Sequence, residues 1–246
     1  MDFQQGEILP FYKPYEWTSF GLVSRVRHIL TDRLGTKIKI GHAGTLDPLA
    51  TGVIILCTGR ATKRVEEIQQ HTKEYIATLK LGATTASYDR EHPENAIFPT
   101  GHITQDLVVN VLQKFVGKIE QIPPEYSACK IGGEHAYKLI RKGQEVLLKP
   151  KTLIIDEIEL LSYELPEIQI RVVCSKGTYI RALARDIGAA LDSGAYLTAL
   201  KRTRIGSVTL ADCLTLEDFP NWLDKQTLFN QTETTQAFHK GNLILK

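Results

Sequence analysis

The stretch Gly41-His42-Ala43-Gly44-Thr45-Leu46-Asp47-Pro48-Leu49-Ala50-Thr51-Gly52 decides the reading of this chain. Asp47 is its one acidic residue, and three glycines around it permit tight turns and close backbone approach. Pro48 fixes the backbone just after the carboxylate and biases Asp47 towards extended geometry. The apolar run Val53-Ile54-Ile55-Leu56-Cys57 follows and reads as a buried strand. A turn of this composition at the mouth of a strand holds one carboxylate where a nucleophile or general base is useful. The same pattern also suits a structural turn with a capping Asp.

Outward from this stretch, helical periods are legible in three places. Ser19 or Thr18 can cap a helix with Leu22, Val23, Val26, Ile29 and Leu30 on its apolar face and Gly35 at its end. Thr104 can cap a second, with Leu107, Val108, Val111, Leu112 and Phe115 inward and Gly117 closing it. A third runs through Ile180, Leu183, Ala184, Ile187 and Leu191 and stops near Ser193-Gly194. Strand alternation marks 75–81 and 168–174, with shorter candidates at 152–155 and 207–210. Elements mixed without a regular βαβ beat favour an α+β fold with a largely antiparallel sheet.

The chain has 246 residues, which suits one large domain or one domain with an insert. Apolar residues make up 43% and charged residues 24%, the proportions of an ordinary globular protein. No apolar run reaches membrane-spanning length, and the first residues lack a signal-peptide pattern, so cytoplasmic residence is the expectation. Cys57, Cys129, Cys174 and Cys213 are isolated and the histidines do not cluster, so neither a disulfide frame nor a metal site is expected.

A net charge of +2 does not announce a polyanion partner, but charge is unevenly spread. Lys130, Lys138, Arg141, Lys142, Lys149 and Lys151 fall within 129–151, Lys201, Arg202 and Arg204 form a second group, and Arg60, Lys63 and Arg64 a third. Acidic residues gather elsewhere, as in Asp156-Glu157-Ile158-Glu159. Such asymmetry permits a phosphate-binding face on a near-neutral protein. Each cluster is equally readable as a solvated surface.

The quoted stretch resembles the catalytic loop of the bacterial tRNA pseudouridine-55 synthases, the TruB family. Four further segments match that family in order: Lys13-Pro14, Lys73-Glu74-Tyr75 opening a strand that ends at Leu81-Gly82, Ile122-Pro123-Pro124-Glu125-Tyr126-Ser127-Ala128, and Cys174-Ser175-Lys176-Gly177-Thr178-Tyr179-Ile180-Arg181. The resemblance implies a pseudouridine synthase fold, with a central mixed, largely antiparallel sheet flanked by helices. It implies a catalytic domain over 1–218 with a thumb-like, RNA-gripping insert at about 121–150. Residues 219–246 would be a short tail, the remnant of a C-terminal RNA-binding domain.

The implied activity is isomerisation of uridine 55 in the T-loop of tRNA, with the base flipped into a pocket and no cofactor or metal. Asp47 takes the role of nucleophile. Attack on the sugar C1′, addition to the uracil ring and removal of a sugar proton are all open to a carboxylate. Arg181 would be the cation that keeps it charged, and Asp89 would share that arginine. Tyr75 would stack on the base, with Tyr179 and Leu200 completing the pocket and His42 assisting the opening of the RNA loop. Lys13 would support the loop or a phosphate. Lys130, Lys138, Arg141, Lys142, Lys201 and Arg202 would contact the RNA backbone. The expected partner is tRNA, bound by a monomer without an obligate protein partner or a membrane. A non-catalytic RNA binder or tRNA folding chaperone is a second reading, and a guide-dependent synthase of the ribonucleoprotein type a third.

Overall fold

Capping chemistry sets the first helix in the computed structural model, which describes residues 1–229 except 128, 132, 133, 142, 143 and 145, and leaves aside the side chains at 130, 131, 135, 137, 138 and 141. Thr18, in extended geometry, accepts a hydrogen bond from Gly21 N at 2.9 Å, and Gly35 closes the helix at φ 65°. In chain order the elements are β1 (Ile8–Lys13), α1 (Ser19–Leu34), β2 (Ile40–His42), β3 (Ala50–Thr58), a 3₁₀ segment (Gly59–Arg64), α2 (Val65–Gln69), β4 (Lys73–Leu81), β5 (Ala83–Thr85), β6 (Glu94–Ile97), α3 (Gln105–Gln113) and β7 (Gly117–Gln121). There follow β8 (Lys130–Ile131), β9 (Glu134–His135), α4 (Ala136–Arg141), β10 (Lys151–Glu164), β11 (Glu167–Cys174), α5 (Ile180–Ala190), β12 (Ala195–Ile205), β13 (Val208–Thr209), a 3₁₀ turn (Leu210–Asp212) and α6 (Phe219–Asp224). Among the described residues, no helix is long and apolar enough to cross a membrane.

The chain divides into two units, the first formed by 1–48, 52–69 and 210–229 and the second by 49–51 and 70–209. In the first, β3 pairs antiparallel with β1, from Ile8↔Cys57 to Lys13↔Gly52, and with β2, from Ile40↔Thr58 to His42↔Leu56. Leu22, Val23, Val26 and Leu30 of α1 pack with Phe11, Ile54 and Leu56. Phe219 and Leu223 of α6 complete this core, Phe219 edge-on to Phe11 with ring centroids 5.1 Å apart. The division expected near Asp218 therefore falls one residue ahead of a helix that belongs to the first unit's core.

In the second unit the strand order is β12-β4-β11-β10-β7, with every neighbouring pair antiparallel. Helix α5 buries Ile180, Leu183, Ala184 and Ile187. Its Gly188 permits a close crossing, because a Cβ there would lie 2.4 Å from the backbone N of Ala195. Val108, Val111 and Leu112 of α3 are buried as their period implies.

Three expectations change. The quoted stretch is turn at its centre only, since its two ends are strand in β2 and β3. The helix capped by Thr104 ends at Gln113, and Gly117, at φ 94°, opens β7 instead of closing the helix. The short strand expected at 152–155 extends from Lys151 to Glu164 and takes in the acidic run at 156–159. Strand β12, eleven residues long, has no counterpart in the sequence reading. Register shifts at Leu197/Ala199 and Arg202/Arg204 break its alternation, so the period-two signal is lost although the ladder persists.

Candidate active site

Asp47 sits, partly exposed, in a loop tied down on both sides. On its N-terminal side, Leu46 is buried, its N–H donates to Ser19 Oγ at 2.9 Å, and Ser19 Oγ donates back to Leu46 O at 3.0 Å. Ala43 N–H donates to Ile55 O at 2.8 Å and anchors the loop to β3. On its C-terminal side, Pro48 O accepts from Glu16 N at 2.9 Å and from Lys13 Nζ at 3.2 Å. Lys13 is completely buried, and its ammonium also donates to Pro14 O at 2.9 Å and Trp17 O at 2.6 Å. A buried cation ringed by carbonyl oxygens has its charge compensated and its position fixed. Lys13, expected to support the loop or a phosphate, is thus bonded to the loop at Pro48 O.

The second unit holds Arg181 at the start of α5, buried to 5% exposure. Its Nη1 donates to Ser87 O at 3.2 Å, its Nη2 to Tyr126 O at 3.0 Å, and its Nε lies 3.6 Å from Asp89 Oδ2. Asp89 is itself buried and organised: its Oδ1 accepts from Ser87 Oγ at 2.5 Å and from Glu91 N at 3.0 Å. Arg181 and Asp89, expected to share contact, are thus brought together. The carbonyls of Ser87 and Tyr126 complete this arrangement and were not singled out from sequence, because backbone oxygens carry no residue signal.

Tyr179 precedes α5, and its backbone is clasped by Gln121, which accepts from Tyr179 N at 2.9 Å and donates to Tyr179 O at 3.2 Å. Tyr75 is buried in β4, level with Val172 of β11 and Arg202 of β12. Leu200 is partly exposed and level with Ala77, and His42 ends β2, partly exposed. Lys73 lies on the same face of β4 as Tyr75 and is also buried; burial, reinforced by Arg202, lowers its ammonium pKa to about 8.

Glu74 points to the other face. It accepts from Thr203 Oγ1 at 2.7 Å, from Arg171 Nη1 at 3.1 Å and from Arg204 Nη2 at 3.5 Å. The Thr203 hydroxyl, with help from the two arginines, holds its carboxyl below the usual carboxylate range. Arg171 also reaches Glu157 and Glu159, which pairs the acidic run of β10 with a basic residue of its neighbour.

The basic cluster expected at 201–204 does not form one surface. Lys201 is exposed while Arg202 is 1% exposed, because adjacent strand residues face opposite ways. Arg202, expected to contact the RNA backbone, is thus buried within the chain. Lys130, Lys138 and Arg141 lie outside the described side chains, and Lys142 outside the described residues; within the same stretch the backbone of Ala136–Arg141 forms α4. Among the described residues no cluster of His, Cys, Asp and Glu could hold a metal ion.

The TruB family pseudouridylate synthase N-terminal domain matches residues 28–180, and the tRNA pseudouridylate synthase B C-terminal domain matches residues 181–237. The chain is 66% identical to tRNA pseudouridine synthase B of Phocaeicola vulgatus over 93% of this chain and 97% of that protein. It is 62% identical to tRNA pseudouridine synthase B of Bacteroides thetaiotaomicron over 95% of this chain and 99% of that protein. Among solved structures, the chain superposes on one in a Cbf5-Nop10-Gar1 complex with a TM-score of 0.67 at 29% identity. A second, in an H/ACA RNP bound to a substrate RNA containing 2'-deoxyuridine, gives 0.66 at 27%. Both superpositions cover 90% of this chain but only 55% and 54% of those chains, so it spans about half their length.

Proposed function

Because the chain belongs to the TruB family of pseudouridylate synthases, we propose that it converts uridine 55 in the T-loop of tRNAs to pseudouridine with Asp47 as the nucleophile. The observation that carries this reading is the 66% identity to a tRNA pseudouridine synthase B along nearly the whole of both chains. The reaction breaks the bond from uracil N1 to the sugar C1′ and joins C5 to C1′; C5 loses a proton and N1 gains one. No electrons or groups are exchanged with a second reactant, so no cofactor is required.

In this proposal the base leaves the RNA stack and enters a pocket where Tyr75 stacks on it, with Tyr179 and Leu200 as walls and His42 assisting the opening. Extrusion costs a few kcal/mol, offset by stacking and by pocket hydrogen bonds. The pinned backbone on both sides of Asp47 supports a nucleophile role, because a reacting group must not wander. The buried, carbonyl-bonded Arg181 supports the role of a fixed cation. It need not reorganise as charge develops. The segment 121–150 acts as a thumb whose Lys130, Lys138, Arg141 and Lys142, with Lys201, position phosphates. The enzyme works as a monomer in the cytoplasm, and its opening of the tRNA also assists tRNA folding. A guide-dependent reading is disfavoured, because relatives 62–66% identical along nearly their whole length are named tRNA pseudouridine synthase B, whereas the chain of the Cbf5-Nop10-Gar1 complex is 29% identical.

The test is formation of pseudouridine in an unmodified tRNA transcript by wild type and Asp47→Asn side by side. Product at one T-loop uridine from wild type alone is expected, with tRNA binding retained by the variant. Near-normal turnover by Asp47→Asn would sink the assignment.

A further inference from the structure

Residues 15–20 carry an unusual concentration of exposed aromatic surface. Tyr15 is 49% exposed, Trp17 37% and Phe20 70%. Only two other aromatic side chains among the described residues, Phe98 and Phe229, are exposed, so three of five lie within six positions. Solvent-facing aromatic rings grouped in this way mark a contact surface more often than accident.

This surface is rigidly joined to the Asp47 loop. The ammonium of Lys13 binds Trp17 O and Pro48 O together, Glu16 N donates to Pro48 O, and Ser19 Oγ holds both the N–H and the carbonyl of Leu46. Glu16 itself has φ 64°, a left-handed conformation costly for a residue with a side chain. The turn is therefore shaped by its attachments, and it leaves Tyr15, Glu16, Trp17 and Thr18 outside. No lysine or arginine occurs from 15 to 20, and Glu16 is the single charge there. A carboxylate repels phosphate but accepts hydrogen bonds from the amino groups of bases. The combination suits base faces and edges, not backbone.

We propose that Tyr15, Trp17 and Phe20 form a stacking platform for unpaired bases of the RNA loop next to the target uridine. The proposal rests on the functional reading above and deepens it. The platform is a binding element whose contribution is insensitive to salt, in contrast to the phosphate contacts assigned to lysines.

The experiment uses intrinsic fluorescence of the full chain, which has two tryptophans. Trp222 is stacked on Phe219 in the first unit's core and serves as the constant background. Titration with a T-arm stem-loop RNA is expected to quench wild type, and Trp17→Phe is expected to lose that RNA-dependent change. Phe20→Ala, at the most exposed of the three rings, is expected to weaken binding roughly tenfold. The slope of log Kd against log salt should not change for this variant. Equal quenching by a fully paired duplex would overturn the proposal. So would wild-type affinity in a Tyr15→Ala/Phe20→Ala variant, or a change in its oligomeric state, which would assign the rings to a protein contact. Quenching without pseudouridine formation would leave the platform standing and refute the catalytic reading, so the two fail separately.

Discussion

Replacing Lys13 with Met isolates the contribution of one buried charge to the Asp47 loop. Methionine fills much of the same volume but cannot donate to Pro14 O, Trp17 O or Pro48 O, the three carbonyls bound at 2.6–3.2 Å. Hydrogen bonds from a charged donor contribute roughly 1.5–3 kcal/mol each. Burying the ammonium costs several kcal/mol, and that cost disappears with the charge. Pro48 O keeps its bond from Glu16 N, so two carbonyls lose a donor, at about 1–2 kcal/mol apiece. The net expectation is a loss of about 2–4 kcal/mol, a fall in Tm of roughly 5–15 °C for a chain of this size. Because the lost bonds join the loop to the turn at 14–17, a displacement of about 1 Å at Asp47 would lower the single-turnover rate by roughly a hundredfold. The assay pairs thermal unfolding with pseudouridine formation, using the exposed Lys118→Met as a control expected to stay within about 0.5 kcal/mol of wild type. A Lys13→Met protein that melts within about 2 °C of wild type and turns over normally would refute the reasoning.

Asp89→Asn keeps the shape of the acceptor for Ser87 and Glu91 but removes the charge beside Arg181. A fall in kcat of roughly ten- to a hundredfold with RNA affinity kept is expected; an unchanged kcat would separate Asp89 from the chemistry. Lys73 has its pKa lowered to about 8 in the folded chain, so the folded state binds fewer protons than the unfolded one between pH 8 and the ordinary lysine range. Its contribution to stability therefore rises as pH climbs through that window, by at most about 3 kcal/mol. Urea unfolding of wild type minus Lys73→Met should show the rise, and a flat difference curve would contradict it. Neutralising Lys138, Arg141 and Lys142 together should weaken tRNA binding and reduce the salt slope by roughly 0.7–0.9 per lost phosphate contact. Arg202→Ala should instead lower Tm with the slope unaltered, since Arg202 is buried.

Features written in neighbouring residues were legible before any coordinates. Thr18 and Gly35 bracket α1 because capping depends on the end residues themselves, and Thr104 does the same at the start of α3. The segment 75–81 reads as strand because apolar and polar side chains alternate along it, and the observed strand Lys73–Leu81 buries every second residue. The position of Asp47 in a Gly- and Pro-shaped turn before a buried strand is likewise local. Strand β12 shows the limit: its bulges erase the period, and only its ladder to β4 makes it a strand.

By itself, then, the sequence determined the family, the α+β class, the capped starts of α1 and α3 and the carboxylate at the loop. Tertiary structure decided which charges are free and which are spent inside. Lys13 and Arg202 look like surface cations in a linear reading, yet both are buried, while Lys201 beside Arg202 is exposed. Arg181 meets Asp89, Ser87 and the Tyr126 carbonyl across 55 to 94 residues of chain. The physical reason is that capping and periodicity are short-range properties of a few neighbouring side chains. The burial of a charge depends instead on carbonyls and carboxylates that only folding brings to it.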